Sequence, residues 1–367
     1  MVVCSSRKSC QSGRGQLEKT GVRVRDYGRR ATMKIAVSFA LSGAQREAIG
    51  KVGEKIEVVD RDCRTLEDLT ALVDGDTDAL LTFRIPPNAG VRAPRLRWVQ
   101  LLSAGADHVL REANSGDRFT ITTASGVHSV LIAEYCIASI LAFTHRFHLT
   151  IKAQLKHEWL KQSPFMTSVR ELRGCTLGIL GYGSIGRETA RMAAALGMTV
   201  LALKRNRDDR LDLGWTPVDI GDPEGKIPAR LYGPSQCKEL MAQSDFVVVT
   251  LPLTPETRGF VGAVELAAAK PEAYIVNIGR GGVIDEAALI AALKEGKIAG
   301  AGLDVFEREP LPAHSPLWDL ENVILTPHSA GSKRGYFDHA FEIFIENLRR
   351  FVTDRALLNQ VDRTTGY

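Results

Sequence analysis

From Met33 onward the chain alternates short β-branched runs with stretches whose apolar residues recur every three to four positions. Lys34 to Phe39, Ile56 to Val59, Ala79 to Phe83 and Trp98 to Leu102 predict four strands. Thr176 to Leu180, Thr199 to Leu203, Phe246 to Leu251, Tyr274 to Ile278, Gly300 to Asp304 and Val323 to Leu325 predict six more. Strands separated by helical spacing are the mark of parallel sheets with helical crossovers, so the two series predict an α/β fold with two sheets. Between them, Val127 to Phe147 is mostly apolar, rich in helix formers and too long for a strand, which predicts a helix joining two units. Tyr336 to Phe351, with Phe337, Phe341, Phe344, Ile345 and Leu348 at helical spacing, predicts one amphipathic helix.

Composition fits that picture. A length of 367 residues with 44% hydrophobic positions is enough for two ordinary cores and excludes disordered and fibrous classes. The net charge of +4 is unevenly placed: residues 1 to 32 carry eight basic and two acidic side chains, which leaves the other 335 residues at −2. No basic stripe for nucleic acid runs through the body. The tail, poor in large apolar residues, is expected to be disordered and has no secretory h-region. It reads as an Arg-rich transit peptide or as upstream sequence without structural role; poor amphipathicity and four glycines favour the second. Six cysteines without a CxxC pair suit a reducing compartment, and no apolar run nears the roughly 18 residues of a membrane span. A soluble, cytoplasmic protein with no membrane or nucleic-acid partner is the expectation. The pair His145 and His148 lacks a third ligand, so no metal is expected.

The strand ending at Leu180 runs into Gly181-Tyr182-Gly183-Ser184-Ile185-Gly186 and then a helical stretch. In this order Gly181 permits the tight turn, Gly183 lets a pyrophosphate approach the backbone, and Gly186 lets helix pack on strand. The helix N-terminus presents free N–H groups to phosphate oxygens. At the end of the next strand an NAD site carries an acidic residue for the ribose; here stand Leu203-Lys204-Arg205-Asn206-Arg207. Lys204 and Arg205 would pair with a 2′-phosphate, which predicts NADP(H), with NAD(H) the alternative if Asp208 or Asp209 reaches back to the ribose.

Three further segments end strands of the second series: Asn277-Ile278-Gly279-Arg280-Gly281, Asp304-Val-Phe-Glu-Arg-Glu309-Pro310 and Thr326-Pro-His328-Ser-Ala-Gly331. In this order, after GxGxxG, they resemble the D-isomer-specific 2-hydroxyacid dehydrogenase family over nearly all of Met33 to Tyr367. The resemblance implies two doubly wound parallel-sheet domains, a Rossmann-type cofactor domain (127–330) inserted in a flavodoxin-like substrate domain (33–126 and 331–367). It implies hydride transfer between a nicotinamide cofactor and a small 2-oxo acid, with glyoxylate or hydroxypyruvate the first choice of substrate.

By the same resemblance Arg280 binds the substrate's carboxylate and carbonyl oxygen, a task suited to its fixed fork of donors. His328 is the general acid, histidine being the side chain that titrates near neutrality, and Glu309 orients its ring. Ser103-Ala104-Gly105 matches the loop whose backbone N–H groups hold the carboxylate. Arg84 ends a strand facing the same crevice and is a further candidate for substrate contact. Asp304 matches the residue at the nicotinamide carboxamide, and Ile278, Thr250, Pro252 and Thr257 line the dinucleotide. Family members often carry His at the position of Thr250. Ser125-Gly126-Val127-His128-Ser129 resembles the lead into the interdomain helix, whose faces the resemblance makes a homodimer surface.

Two alternatives stay open at this level. A 3-phosphoglycerate dehydrogenase-like enzyme is the runner-up within the class, although little sequence follows the last helix for a regulatory domain. A dinucleotide-sensing corepressor-like module keeps the same motifs without turnover.

Overall fold

The computed structural model describes residues 32–110, 118–161, 169–332 and 335–363; the expected disorder of the basic tail falls on residues 1–31, which lie outside them. The first sheet holds five strands, β1 (Met33–Val37), β2 (Ile56–Asp60), β3 (Ala79–Thr82), β4 (Trp98–Leu101) and β5 (Thr120–Thr122), in the order β2-β1-β3-β4-β5. The second holds seven: β6 (Thr176–Leu180), β7 (Thr199–Leu203), β8 (Arg230–Tyr232), β9 (Phe246–Val249), β10 (Tyr274–Asn277), β11 (Gly300–Leu303) and β12 (Val323–Leu325), in the order β12-β11-β10-β9-β6-β7-β8. All the named strand pairs are parallel. The orders are those of the two doubly wound α/β folds, flavodoxin-like for the first sheet and dinucleotide-binding for the second.

Both faces of each sheet are covered, which explains why the strands read as apolar runs rather than alternations. One face of the first sheet packs on the helix Tyr336–Val352, which contributes Ala340, Phe341, Ile343, Phe344, Ile345, Leu348 and Phe351 to a core with Ile35, Val37, Leu81 and Trp98. The predicted amphipathic helix is therefore the last layer of the first sheet, reached only after the whole second sheet has been built. A buried polar network fixes this return: Trp98 Nε1 donates to Thr122 Oγ1 (2.8 Å), Thr122 donates to Gln100 Oε1 (2.8 Å), and Asn347 Nδ2 donates to the same oxygen (3.0 Å). Asn347 also holds the backbone of Leu358 through both its N–H and its carbonyl.

Two strands, β5 and β8, were not expected. Each has three residues at the edge of its sheet. Several predicted strands overrun by one or two residues, and Phe83, Leu251, Ile278 and Asp304, all beyond strand ends, line the cleft described below. The helix expected over Val127 to Phe147 is Ser129–Thr144; Arg146, in the left-handed region at φ 59°, turns the chain by 67° into a second helix, Phe147–Leu155. Ser129–Thr144 is mostly core, packed against the helix Ser184–Ala195 and β10. His148 stacks on Phe143 with ring centroids 5.3 Å apart, a packing role for half of the histidine pair. Among the described residues no single helix is long and apolar enough to cross a membrane.

Replacing Thr122 with Val leaves the Trp98 N–H buried without its acceptor. The expected cost is roughly 1–3 kcal/mol, read as a lower midpoint in urea unfolding.

Candidate active site

Parallel strands present all their C-terminal ends on one edge, and ligands bind outside those ends. Here the edges of the two sheets face a common cleft of about 920 Å³. The first sheet contributes Phe83 after β3, Ser103 to Ala106 after β4, and Thr123, Ser125 and Gly126 after β5. The second contributes Gly181 to Ile185, Lys204 to Asn206, Thr250 to Leu253, Ile278 to Arg280, Asp304 and His328, each following a different strand.

The glycine loop fits a dinucleotide. Gly181 has φ +108° at the switch point between β6 and β9, and a Cβ there would lie 2.6 Å from Thr250 Oγ1. Thr250, where relatives often have His, donates its hydroxyl to Gly181 O at 2.7 Å and so braces the turn. A Cβ on Gly186 would strike Gly181 O at 2.3 Å, whereas one on Gly183 meets no atom within 4 Å. Gly183 is also the N-cap of Ser184–Ala195 and offers no side-chain cap, so the first N–H groups of the helix point at open cleft, the arrangement an anionic pyrophosphate satisfies.

Tyr182 is oriented differently from a simple cofactor contact. Its hydroxyl donates to Asp222 Oδ2 at 2.6 Å, and the Arg187 guanidinium stacks 4.7 Å over its ring. Burial and the Asp222 carboxylate both push its phenol far above the ordinary range. At the next strand end, Lys204 Nζ donates to Asp209 O (2.5 Å) and reaches Asp209 Oδ2 (3.2 Å). Lys204, Arg205, Asn206 and Asp209 all border the cleft. Thr257, in contrast, does not line it: its hydroxyl donates to Pro252 O at 2.6 Å and accepts from Thr254 N at 2.7 Å, shaping the loop that carries Pro252.

The catalytic candidates converge. Asn277 closes the turn after β10, accepting from Gly279 N at 3.2 Å and donating to Arg280 O at 3.3 Å, and this turn sets Arg280 in the cleft. Gly281 is required beside it, because a Cβ would come within 1.8 Å of Phe306 C. The Glu309 carboxylate is divided: Oε1 accepts from Phe306 N at 3.0 Å and Oε2 lies 2.7 Å from His328 Nδ1. His328 sits in the left-handed region at φ 51°, with its N–H donating to Asp304 O at 2.8 Å.

Asp304, 2% exposed, builds the turn that holds His328. Its Oδ1 accepts from Thr326 Oγ1 (2.5 Å) and Ser329 N (2.8 Å), and Oδ2 accepts from Ala330 N (3.0 Å). Because Thr326 donates to Asp304, the 2.7 Å bond between Tyr135 and Thr326 runs from the tyrosine, whose hydroxyl burial pushes up to about 12. The interdomain helix is thereby tied to the histidine turn.

On the opposite wall Ser103 donates to Gly105 O at 2.8 Å, holding the small-residue turn, and Leu102 O accepts from the Tyr336 hydroxyl. Arg84 is not brought into the site. It is exposed and absent from the cleft lining; Phe83, packed edge-on against Phe337 at 5.8 Å, occupies that wall instead. Sequence reasoning also passed over His108, His128 and Tyr336 as cleft residues. His128 stacks on Tyr336 with centroids 4.9 Å apart, a contact between residues 208 positions apart that no local pattern signals.

The comparisons with known proteins agree with this geometry. The model of the family described as "D-isomer specific 2-hydroxyacid dehydrogenase, NAD binding domain" matches residues 137–330. The chain belongs to the D-isomer-specific 2-hydroxyacid dehydrogenases. A glyoxylate reductase of Aeropyrum pernix is 35% identical over 288 residues, 77% of this chain and 82% of that protein. The structure of a D-isomer specific 2-hydroxyacid dehydrogenase from Xanthobacter autotrophicus Py2, in complex with NADPH and MES, is similar at a TM-score of 0.72 and 30% identity, covering 92% of this chain and all of the other. An NADPH-dependent glyoxylate/hydroxypyruvate reductase from Sinorhizobium meliloti, in complex with NADP and sulfate, has a TM-score of 0.71 at 28% identity with the same coverage. The chain is thus an oxidoreductase with a nicotinamide dinucleotide-binding domain.

The turn built on Asp304 is open to test. Asp304→Asn sets an amide NH2 against backbone N–H groups of Ser329 or Ala330. It is expected to lower stability by roughly 1–3 kcal/mol in denaturant unfolding.

Proposed function

We propose that this oxidoreductase reduces small 2-oxo acids, glyoxylate and hydroxypyruvate first among them, and prefers NADPH. The observation that carries the reading is the His328–Glu309 pair, 2.7 Å apart, beside the cleft that Arg280 and the Ser103 to Gly105 turn also line. Residues 33–126 and 331–367 serve as the substrate-binding domain and 127–330 as the dinucleotide-binding domain.

A nicotinamide dinucleotide, when bound, supplies the hydride. The glycine loop Gly181 to Gly186 holds its pyrophosphate, and Thr250, Pro252, Ile278 and Asp304 border its length. Arg280 offers paired N–H donors to the carboxylate and carbonyl oxygen of the 2-oxo acid, a geometry that a guanidinium holds and an ammonium does not. The backbone N–H groups of Ser103 to Gly105 hold the carboxylate from the other side. As the carbonyl carbon is reduced, the oxygen becomes an alkoxide, and His328 gives it a proton. Glu309 accepts the hydrogen bond at Nδ1, so that in the imidazolium form it is the Nε2 proton that His328 gives up. Closure of the two walls excludes water from the reaction.

The preference for NADPH is supported by Lys204, Arg205 and Asn206 at the end of β7. The carboxylate of Asp209 borders the same part of the cleft and is paired with Lys204, which leaves Arg205 as the main cation for a 2′-phosphate. The cytoplasm, a reducing compartment, suits the free thiols of Cys63, Cys136, Cys175 and Cys237.

For a homodimer surface, the helix that follows Ser129–Thr144 is the better candidate. Ser129–Thr144 is largely buried, whereas Phe147, Ile151 and Leu155, spaced four apart on the helix Phe147–Leu155, are 53%, 55% and 79% exposed. A stripe of this kind is what a partner surface covers. Leu155→Glu is expected to shift sedimentation from dimer to monomer; a wild-type monomer at micromolar concentration refutes the placement.

A panel of 2-oxo acids assayed with both cofactors tests the reaction. Faster initial rates with NADPH than NADH are expected, and His328→Ala should lower kcat on the order of 10² to 10⁴. Tight NADP(H) binding without turnover of any 2-oxo acid overturns the enzymatic reading in favour of a dinucleotide-sensing module.

A further inference from the structure

Three segments distant in sequence meet where the chain crosses between the sheets. Ser125 and Gly126 lead from β5 to the interdomain helix, Asn359 returns after the last helix, and Trp215 comes from the long excursion between β7 and β8. Asn359 is in the left-handed region at φ 55° and uses its whole amide: Nδ2 donates to Thr123 O (3.2 Å) and Ser125 O (2.9 Å), and Oδ1 accepts from Trp215 N (2.9 Å). Gly126, at φ +97°, leaves no room for a side chain, since a Cβ would lie 2.3 Å from Trp215 O and 3.0 Å from the indole Cε3. The indole itself packs against the core of the first sheet.

The excursion is also anchored on either side of Trp215 by Arg187, the residue after the glycine loop. Arg187, 1% exposed, donates to the carbonyl of Asp222 and to Arg210 O (2.7 Å), and stacks on Tyr182. The segment that begins at Lys204 is therefore held on both sides of Trp215 by Arg187, next to the cofactor loop, and at Trp215 itself by Asn359. Asn359, Ser125 and Gly126 also line the cleft, so this clasp lies at its base.

We infer that Asn359, with Trp215 and Gly126, is a positioning residue for the redox step. The clasp sets the angle that the two walls take when the cleft closes. Groups that must cooperate stand on opposite walls: Ser103 to Gly105 on one, Arg280 and His328 on the other. Reacting atoms have to come within about 3–3.5 Å in aligned geometry, and a displacement near 1 Å from a remote change lowers rates on the order of a hundredfold. Asn359 touches none of those groups in this structure; its three hydrogen bonds are to the crossing and the excursion. The inference rests on the reading that 2-oxo acid reduction takes place in this cleft.

The test uses the full-length enzyme. Asn359→Gly keeps the left-handed backbone and removes the three bonds; Trp215→Ala removes the indole that covers Gly126, and Trp215→Phe replaces it conservatively. For the first two, kcat on the best 2-oxo acid of the wild type is expected to fall on the order of tenfold to a hundredfold. The Kd for NADPH without substrate stays at the wild-type value, and Trp215→Phe recovers most of the rate. Unchanged kcat, or kcat and NADPH-binding sites lost in proportion, overturns the clasp. X-ray scattering of the NADPH complex decides independently of turnover. A larger radius of gyration in Asn359→Gly supports the clasp and an unchanged one overturns it, whereas a wild type that reduces no 2-oxo acid refutes only the proposed activity.

Discussion

Parallel pairing is the constraint on which the rest of the structure depends. A strand that pairs in parallel with its predecessor must be reached by a crossover, so every strand end on one edge opens into a loop that is free to vary. Two such sheets, turned edge to edge, place nine strand ends around one cavity. The cofactor loop, the arginine turn, the aspartate turn and the histidine turn need no relation in sequence beyond each following a strand of the same sheet. What joins them is the common end of one sheet.

Within that frame, charge is handled locally. The body is slightly acidic, and its cations act at short range: Lys204 is met by Asp209, and the guanidinium of buried Arg187 by backbone carbonyls and the carboxylate of Asp212. The buried carboxylate of Asp304 is met by one hydroxyl and two backbone N–H groups. Such a group is stable only while all its partners are present. Asp304 consequently fixes the turn carrying His328, where a flexible loop would let the imidazole wander from Glu309.

Much of this was legible in the residues alone, because the information lies in spacing. Gly181, at φ +108°, and Gly186 and Gly281, where a Cβ would lie 2.3 Å and 1.8 Å from backbone, occupy places that a side chain does not fit, and Asn277 closes its turn through its own amide. What was not legible depends on contacts across the fold. Arg84 and Phe83 are neighbours past a strand end, and packing against Phe337 from the far end of the chain sets Phe83 in the wall. Thr257 looked like a ligand contact and is a brace, since its hydroxyl partners are defined only once the loop has closed. The bend at Arg146 falls on a residue with no intrinsic preference for left-handed backbone. Trp215 and Asn359 lie in irregular segments with no periodicity to read.

The return of the chain to its first sheet has a consequence for how the protein is made. The helix Tyr336–Val352 supplies a whole layer of the first core, and Asn347 completes the polar network around Trp98 and Thr122. On the ribosome, strands β1 to β5 are made well before the helix Tyr336–Val352 that covers that face. The second sheet, complete by Leu325, has all its strands available sooner. Domains ordinarily fold in the order they are synthesised. Here the first sheet waits longer than the second for the layer that completes its core.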